Sequence, residues 1–489
     1  MKDEKMRRAT APQQAANHTF TFNTSRTWPL HSLSSSTLSG QAQSPRRTMP
    51  FHFFSFLLFF LLSIFSVPSP AHAISFVAPI GKDNSTLLYS LTLYLKTPLQ
   101  PTRLHLDLGS SFTWVDCDTD YDSSTYQHIP CGSPLCSSLG HNLSCSNCFN
   151  PPSPSCANNT CSLFPENSIT RKTAISTALT DSLALPTSDG STHGPPLLIP
   201  AYIFSCSPPS LLEGLAKNVT GLAAFGRSNY SLPVQVSDTF SIPRCFALCL
   251  PGSTADPGVV LVGSLGPYYF SSQKIDLSKS LIYTPLILNP VGSTVITYVG
   301  QPSDEYYINL TSINVNGKPI QINGSSLAVD QNGFGGTKLS TSTTYTVLES
   351  SIYNALADTF VNESSALNLT VTNAVKPFSV CYSAADIIVT RVGPGVPTVD
   401  LVMQRDDVFW RVFGSNSMVK IAGDGGDVWC LAFVDGGVNP RTSVVIGGHQ
   451  MEDNLLQFDL DSSRLGFTSS VLLKGTTCAD FNFATQGHS

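Results

Sequence analysis

The sequence predicts an all-β protein of two lobes with few short helices, and three observations carry that expectation. Its 489 residues are 42% hydrophobic and only 12% charged, with 34 Gly and 34 Pro. That balance favours a large core and many turns over long charged helices. Short apolar and β-branched runs recur between turn clusters, as at Leu87–Leu95, Val259–Val262, Tyr306–Val315 and Val444–Ile446. The third observation is a faint internal echo. LDLGSSFTWV at 106–115 and LSTSTTYTVL at 339–348 each pass through small residues and end aromatic-Thr-apolar-apolar, as duplicated lobes would. Helical spacing stands out only over Thr344–Asn362, where Tyr345, Leu348, Ile352, Leu356 and Phe360 recur every three to four residues.

Taken in order, residues 1–48 are acid-poor and rich in Ser and Arg, and read as a non-structural N-terminal extension. Residues 49–73 read as a signal peptide. The apolar run FHFFSFLLFFLLSIFSV follows Arg46 and Arg47, and Ala71-His72-Ala73 has the small-x-small pattern of a cleavage site. A retained anchor is the alternative, but the 17-residue run is short of the roughly 20 that span a bilayer. Removing residues 1–73 takes away seven basic and two acidic residues, so the net charge moves from −6 to −11. Such a chain is a poor partner for nucleic acid or an anionic membrane. The remaining length exceeds one ordinary core and divides near 275–295, giving an N-terminal β lobe over 74–280 and a C-terminal one over 281–489.

All 13 cysteines follow the signal, where an oxidising compartment makes disulfides of them. Cys145-Ser-Asn-Cys148 could be half a zinc site, but it sits among Pro, Asn and Ser in a secreted chain, where a stapled loop is the expectation. No metal or cofactor is expected. The odd count leaves one thiol over. Nine Asn-X-Ser/Thr sequons follow the signal, at Asn84, Asn142, Asn158, Asn218, Asn229, Asn309, Asn323, Asn362 and Asn368, and suit a glycosylated extracellular surface.

The stretch LHLDLGSSFTWVDCD at 104–118 carries the chemistry. It resembles the first Asp-Thr-Gly-Ser motif of pepsin-like aspartic proteinases, with Trp114 seven residues beyond Asp107. GLAAFGRSNYSLPVQ (221–235) and SVVIGGHQMEDNLLQFDLDSSRLGF (443–467) resemble two further segments of that family. The resemblance implies the bilobal pepsin-like fold and a pair of carboxylates sharing one proton. One would activate water while the other protonates the substrate carbonyl. The second motif, Asp-Thr/Ser-Gly-Thr-Thr, falls on GGTKLSTSTTYTVL (335–348), which puts Ser340 at the aspartate, Thr341 next and Ser342 at the glycine. A serine hydroxyl titrates far too high to trade protons with Asp107. Asp330, Asp424 and Asp435 do not fit the frame. Leu108 stands at the threonine of the first motif, and Phe164–Asp181, where a Tyr-Gly flap would lie, holds neither Tyr nor Gly. Asp107 is then expected to be a relic held by backbone amides and Ser110, with no catalytic function left to it or to Ser340.

FSCSPPSLLEGL, TRVGPGVPTVDL, VDGGVNPRTSVVIGG and the terminal TTCADFNF narrow the resemblance to a plant group. It holds the extracellular dermal glycoproteins, the basic globulins and the inhibitors of microbial xylanases and xyloglucan-specific endoglucanases. The resemblance implies a secreted cell-wall protein without protease activity, a monomer with six disulfides from Cys117, Cys131, Cys136, Cys145, Cys148, Cys156, Cys161, Cys206, Cys249, Cys381, Cys430 and Cys478. Cys245 would be the free thiol. The implied partners are microbial glycoside hydrolases, whose clefts present two carboxylates. Of the two inhibitory arginines in the endoglucanase inhibitors, one falls on Arg391. The other falls on Gly475, beside Lys474, which supplies charge without the bidentate fork. A structural arginine capping the turn at Gly393-Pro394 is the plainer alternative for Arg391. His449, after Gly-Gly, is expected to be a hydrogen-bonded structural residue. Two other functions stay open: a storage or hormone-binding globulin, and an atypical aspartic-type endopeptidase using Asp107 with another partner.

Overall fold

The computed structural model describes residues 74–140, 144–271, 273–296, 300–423 and 426–483. The N-terminal extension, the signal peptide, Asn142 and Asp424 lie outside the described residues. The described chain is a bilobal pepsin-like β structure, mostly strand, with five short helices, of which Ser350–Ser365 is the longest.

Both halves repeat one arrangement around a paired strand. In the first, the strand Gln100–Asp107 runs parallel to Gly221–Ala224, matching Leu106 to Ala223 and Asp107 to Ala224. Trp114–Asp116 returns antiparallel on the same strand. In the second, Thr337–Leu339 runs parallel to Val444–Ile446, matching Lys338 to Val445 and Leu339 to Ile446, and Thr346–Leu348 returns antiparallel. The 106–115 and 339–348 echo is therefore one loop-and-strand device used twice. Each device aims its post-strand loop at the other.

A shared sheet joins the halves. Ser75–Lys82 pairs with Gly258–Val262, which pairs with Cys245–Cys249. The latter pairs with Leu455–Asp459, which continues through Arg464–Phe467 to Ile282–Ile287. Phe246 and Phe458 stack across the central ladder at 4.5 Å, with Tyr306 also 4.5 Å from Phe458. These buried rings supply large apolar area and fix the register.

Two expected elements differ from the structure. Helix begins at Ser350, not Thr344, because Thr346–Leu348 pairs with both Phe433–Asp435 and Val444–Val445. Glu349 then caps the helix, its carboxylate accepting from Ser351 N and Ile352 N. Ile352, Leu356 and Phe360 form the buried helical stripe. Tyr306–Val315 divides into Tyr307–Ile308 and Ser312–Val315, which pair with different partners.

Six disulfides pair Cys117 with Cys206, Cys131 with Cys145, Cys136 with Cys161, Cys148 with Cys156, Cys249 with Cys478, and Cys381 with Cys430. Cys145 and Cys148 are thus bonded to different partners, and no cluster with metal-ligand character occurs among the described residues. Cys245 is free and buried, its thiol pushed up to about 12 by burial, too high for a reactive thiolate. All eight described sequon asparagines are exposed, as an attached glycan requires.

Candidate functional site

Asp107 ends its strand buried at the junction of the two devices. Its Oδ1 accepts from Gly109 N at 2.6 Å and its Oδ2 from Ser342 Oγ at 3.0 Å. The expected support from Ser110 is absent; Ser342, at the glycine position of the second motif, takes that place. Ser342 Oγ also accepts from Ser168 Oγ at 2.8 Å and lies 2.9 Å from His105 Nε2. His105 Nδ1 faces the Tyr89 carbonyl at 3.1 Å, and burial holds the imidazole below its ordinary pKa against the pull of Asp107. One backbone amide and one hydroxyl thus hold the carboxylate, with Ser168 and His105 behind Ser342.

Half of a reciprocal cross-link survives. Thr341 Oγ1 accepts from Leu108 N at 3.2 Å and donates to the Leu106 carbonyl at 2.7 Å. Leu108 offers no hydroxyl in return. Ser340 N donates to the Ile446 carbonyl at 2.9 Å, and Ser340 Oγ accepts from Thr343 Oγ1 at 3.1 Å. Thr341 is buried at 1% exposure, so Thr341→Val strands a buried amide and a carbonyl. A loss of about 2 kcal/mol is expected in urea unfolding.

Two carboxylates that the sequence did not single out lie near Asp107. A Cβ placed on Gly109 would sit 3.2 Å from Glu305 Cγ and 3.4 Å from Asp107 Oδ1. Glu305 Oε1 is paired with Lys338 at 2.5 Å, while Oε2 accepts from Ser293 at 2.6 Å and Ser303 at 3.1 Å. Burial alone would raise the Glu305 carboxyl, but Lys338 and these hydroxyls hold it below its ordinary range. Glu166 Oε1 pairs with Arg171 at 2.7 Å and its Oε2 accepts from Val295 N at 2.7 Å. Burial raises this carboxyl against the pull of the Val295 amide and Arg171. Glu305 spends both oxygens as hydrogen-bond acceptors, whereas Glu166 Oε1 is buried with only its ion pair to Arg171.

The segment in the flap's place is also fixed. Besides Ser168 on Ser342 and Glu166 on Val295 N, Arg171 Nη2 donates to the Ser293 carbonyl. Asn167 Oδ1 shapes the turn by accepting from Ile169 N and Thr170 N. The 166–171 and 293–295 segments are therefore tied directly to each other.

Residues 89–264 match the family model described as xylanase inhibitor N-terminal, and residues 305–469 the one described as xylanase inhibitor C-terminal. The chain belongs to the xylanase-inhibitor family. Within or beside this family, it is 56% identical to the probable aspartic proteinase GIP1 of Glycine max, over 87% of this chain and 97% of the relative. It is 37% identical to gamma conglutin 1 of Prunus dulcis, over 88% of this chain and 97% of the relative. The crystal structure of edgp superposes with a TM-score of 0.82 at 46% identity, covering 85% of this chain and all of the other. The chain is thus a pepsin-like member of the xylanase-inhibitor family.

The remaining sequence-derived residues fall elsewhere. Asp330 is exposed and shapes a turn through Asn332 N and Phe334 N; Asp435 is exposed and accepts from Ser350 Oγ and Gly437 N. His449 is structural in its contacts, with Nδ1 3.3 Å from Glu452 Oε2 and Nε2 3.0 Å from the Met418 carbonyl.

Arg391, Lys474 and Gly475 come together on the surface. Arg391 and Val392 form the tip of a hairpin between Val389–Thr390 and Gly393–Pro394. Thr390 Oγ1 spans the tip, reaching the Gly393 carbonyl at 2.8 Å and Val392 N at 3.2 Å. Ser415 N holds the Val392 carbonyl at 2.8 Å. Gly393 is required here: its φ is +89°, and a Cβ would meet Ser415 N at 2.1 Å. Lys474 closes a short turn, Val471–Lys474, capped by Gly475 at φ +73°. A Cβ on Gly475 would lie 3.9 Å from Arg391 Nη1. Arg391 and Lys474 are exposed, and neither is in an ion pair among the described residues.

Proposed function

We propose that this chain is a secreted, catalytically silent pepsin-like protein that binds and inhibits microbial glycoside hydrolases, a xyloglucan-specific endoglucanase or a xylanase, in plant defence. The observation that carries the reading is the meeting of Arg391 with Gly475. Two loops 84 positions apart in sequence present a guanidinium and the Lys474 ammonium on one face, with no acidic partner of their own among the described residues. A glycosidase cleft offers two carboxylates to such a face, and a rigid hairpin delivers a planar fork to them with little ordering cost. Exposed Leu473 at 51% and Val389 at 64% beside the cations add apolar contact area.

Loss of catalysis is supported by the ladder registers. Val115 and Leu348 return opposite Gly221 and Val444, so Leu106 beside Ala223 corresponds to Leu339 beside Ile446, and the residues that follow are Asp107 and Ser340. This correspondence supports reading a hydroxyl at the partner carboxylate's position. On this reading purified protein shows no pepstatin-sensitive cleavage of a denatured protein substrate at acid pH, and Asp107→Ala leaves glycosidase inhibition unchanged. Cleavage that vanishes in Asp107→Ala would instead establish the endopeptidase. Secretion is supported by the six disulfides and the exposed sequons, and is checked by recovering the chain from culture medium with its N-terminus near Ile74.

A further inference from the structure

Beside the Glu166–Val295 and Arg171–Ser293 contacts lies a cavity of about 530 Å3 whose walls include Phe112, Phe164, Tyr230, Arg227, Gln301 and Asp304. Three aromatic rings make it a stacking site. Its polar groups are only partly spent. The Tyr230 hydroxyl and the Gln301 side chain make no hydrogen bond among the described residues, and the Arg227 side chain donates only from Nη1, to the Ile287 carbonyl at 3.3 Å. Asp304 Oδ2 accepts from Ser111 Oγ at 2.5 Å, leaving Oδ1 open.

We propose that this cavity binds a short neutral oligosaccharide. One cation faces one anion across the lining, so no net charge selects for an ionic ligand. Pyranose C–H faces suit aromatic rings, and hydroxyls that both donate and accept suit an open carboxylate oxygen, an amide, a phenol and guanidinium N–H groups together. The volume is that of a small-ligand site. An extended peptide fits poorly, because Phe164 and Thr294 of the lining adjoin residues tied to one another through Glu166–Val295 and Arg171–Ser293, which limits the length of chain the cavity can take. The site is separate from Arg391 and does not rest on the inhibitor reading.

The test uses secreted full-length protein carrying Asn229→Gln, since Asn229 is a sequon on the cavity wall. Xylotetraose, cellotetraose and a neutral hexapeptide are titrated by saturation-transfer NMR and calorimetry. Saturable binding of at least one tetraose, weakened about tenfold or more by Tyr230→Ala and by Gln301→Ala and unchanged by Arg391→Ala, is expected. The proposal is overturned by no transfer to either sugar at millimolar concentration, by equal binding in the cavity variants, or by hexapeptide binding that the sugars do not displace.

Discussion

On the proposed inhibitory function, Arg391→Ala is expected to raise the protein concentration needed for half-inhibition of the target glycosidase about 100-fold, the order expected when an arginine anchor of a desolvated charge pair is truncated. The size follows from geometry. The hairpin tip is fixed by Thr390 Oγ1, by the Ser415 amide and by the tight seat of Gly393, so little freedom is lost on binding. A fork meeting a carboxylate bidentately gives strength and direction that an ammonium does not. Arg391→Lys therefore recovers only part of the loss, and Lys474→Ala costs less, about threefold to tenfold, as a flexible point charge at the rim would. Raising salt weakens association of the wild type more than that of Arg391→Ala. Inhibition kinetics of the four proteins at two ionic strengths check all of this.

Glu452→Ala destabilises the fold by about 3–5 kcal/mol, because removing one member of a buried ion pair leaves the other uncompensated. Glu452 is 4% exposed. Its Oε1 is held by Lys82 at 2.6 Å and by the Tyr89 hydroxyl at 2.5 Å, and Oε2 by His449 at 3.3 Å. It therefore ties the first two strands to the turn after Gly448–Met451. Burial would raise its carboxyl, but His449 and Lys82 hold it below its ordinary value of 4.5. A depressed folded pKa contributes stability that is full above the unfolded value and is lost as pH falls through the folded one. Glu305 acts with the same sign. Asp453 acts with the opposite sign: burial raises it to about 6, so its contribution is present at low pH and is lost as pH rises toward 6. Urea unfolding of Glu452→Ala should show the large drop at pH 7 and a shallower decline on acidification than the wild type.

What could be read from the sequence was local. Asp107 announces itself because its strand, its small-residue turn and Trp114 are contiguous, and Ser340 could be placed because the second motif keeps its neighbours. Ser342 was seen only as a replaced glycine. Its role over Asp107 needs His105 and Ser168, which are 237 and 174 positions away and look in sequence like a strand residue and a loop serine. Glu305 and Lys338 were equally silent, since a buried ion pair leaves no spacing signature. Periodicity over-extended the helix at Thr344 because Tyr345 and Leu348 fit a helical stripe, yet pairing on both sides of Thr346–Leu348 outweighs local preference there. Arg391 and Gly475 were each recognisable, but only the fold puts them side by side.

Titrating the secreted protein into a microbial xyloglucan-specific endoglucanase and, separately, a xylanase, with residual activity read at each ratio, decides whether the chain inhibits either enzyme. Inhibition by the Arg391–Lys474 face predicts that one of the two enzymes loses activity with a breakpoint at one protein per enzyme. Full activity of both enzymes at micromolar protein would contradict it.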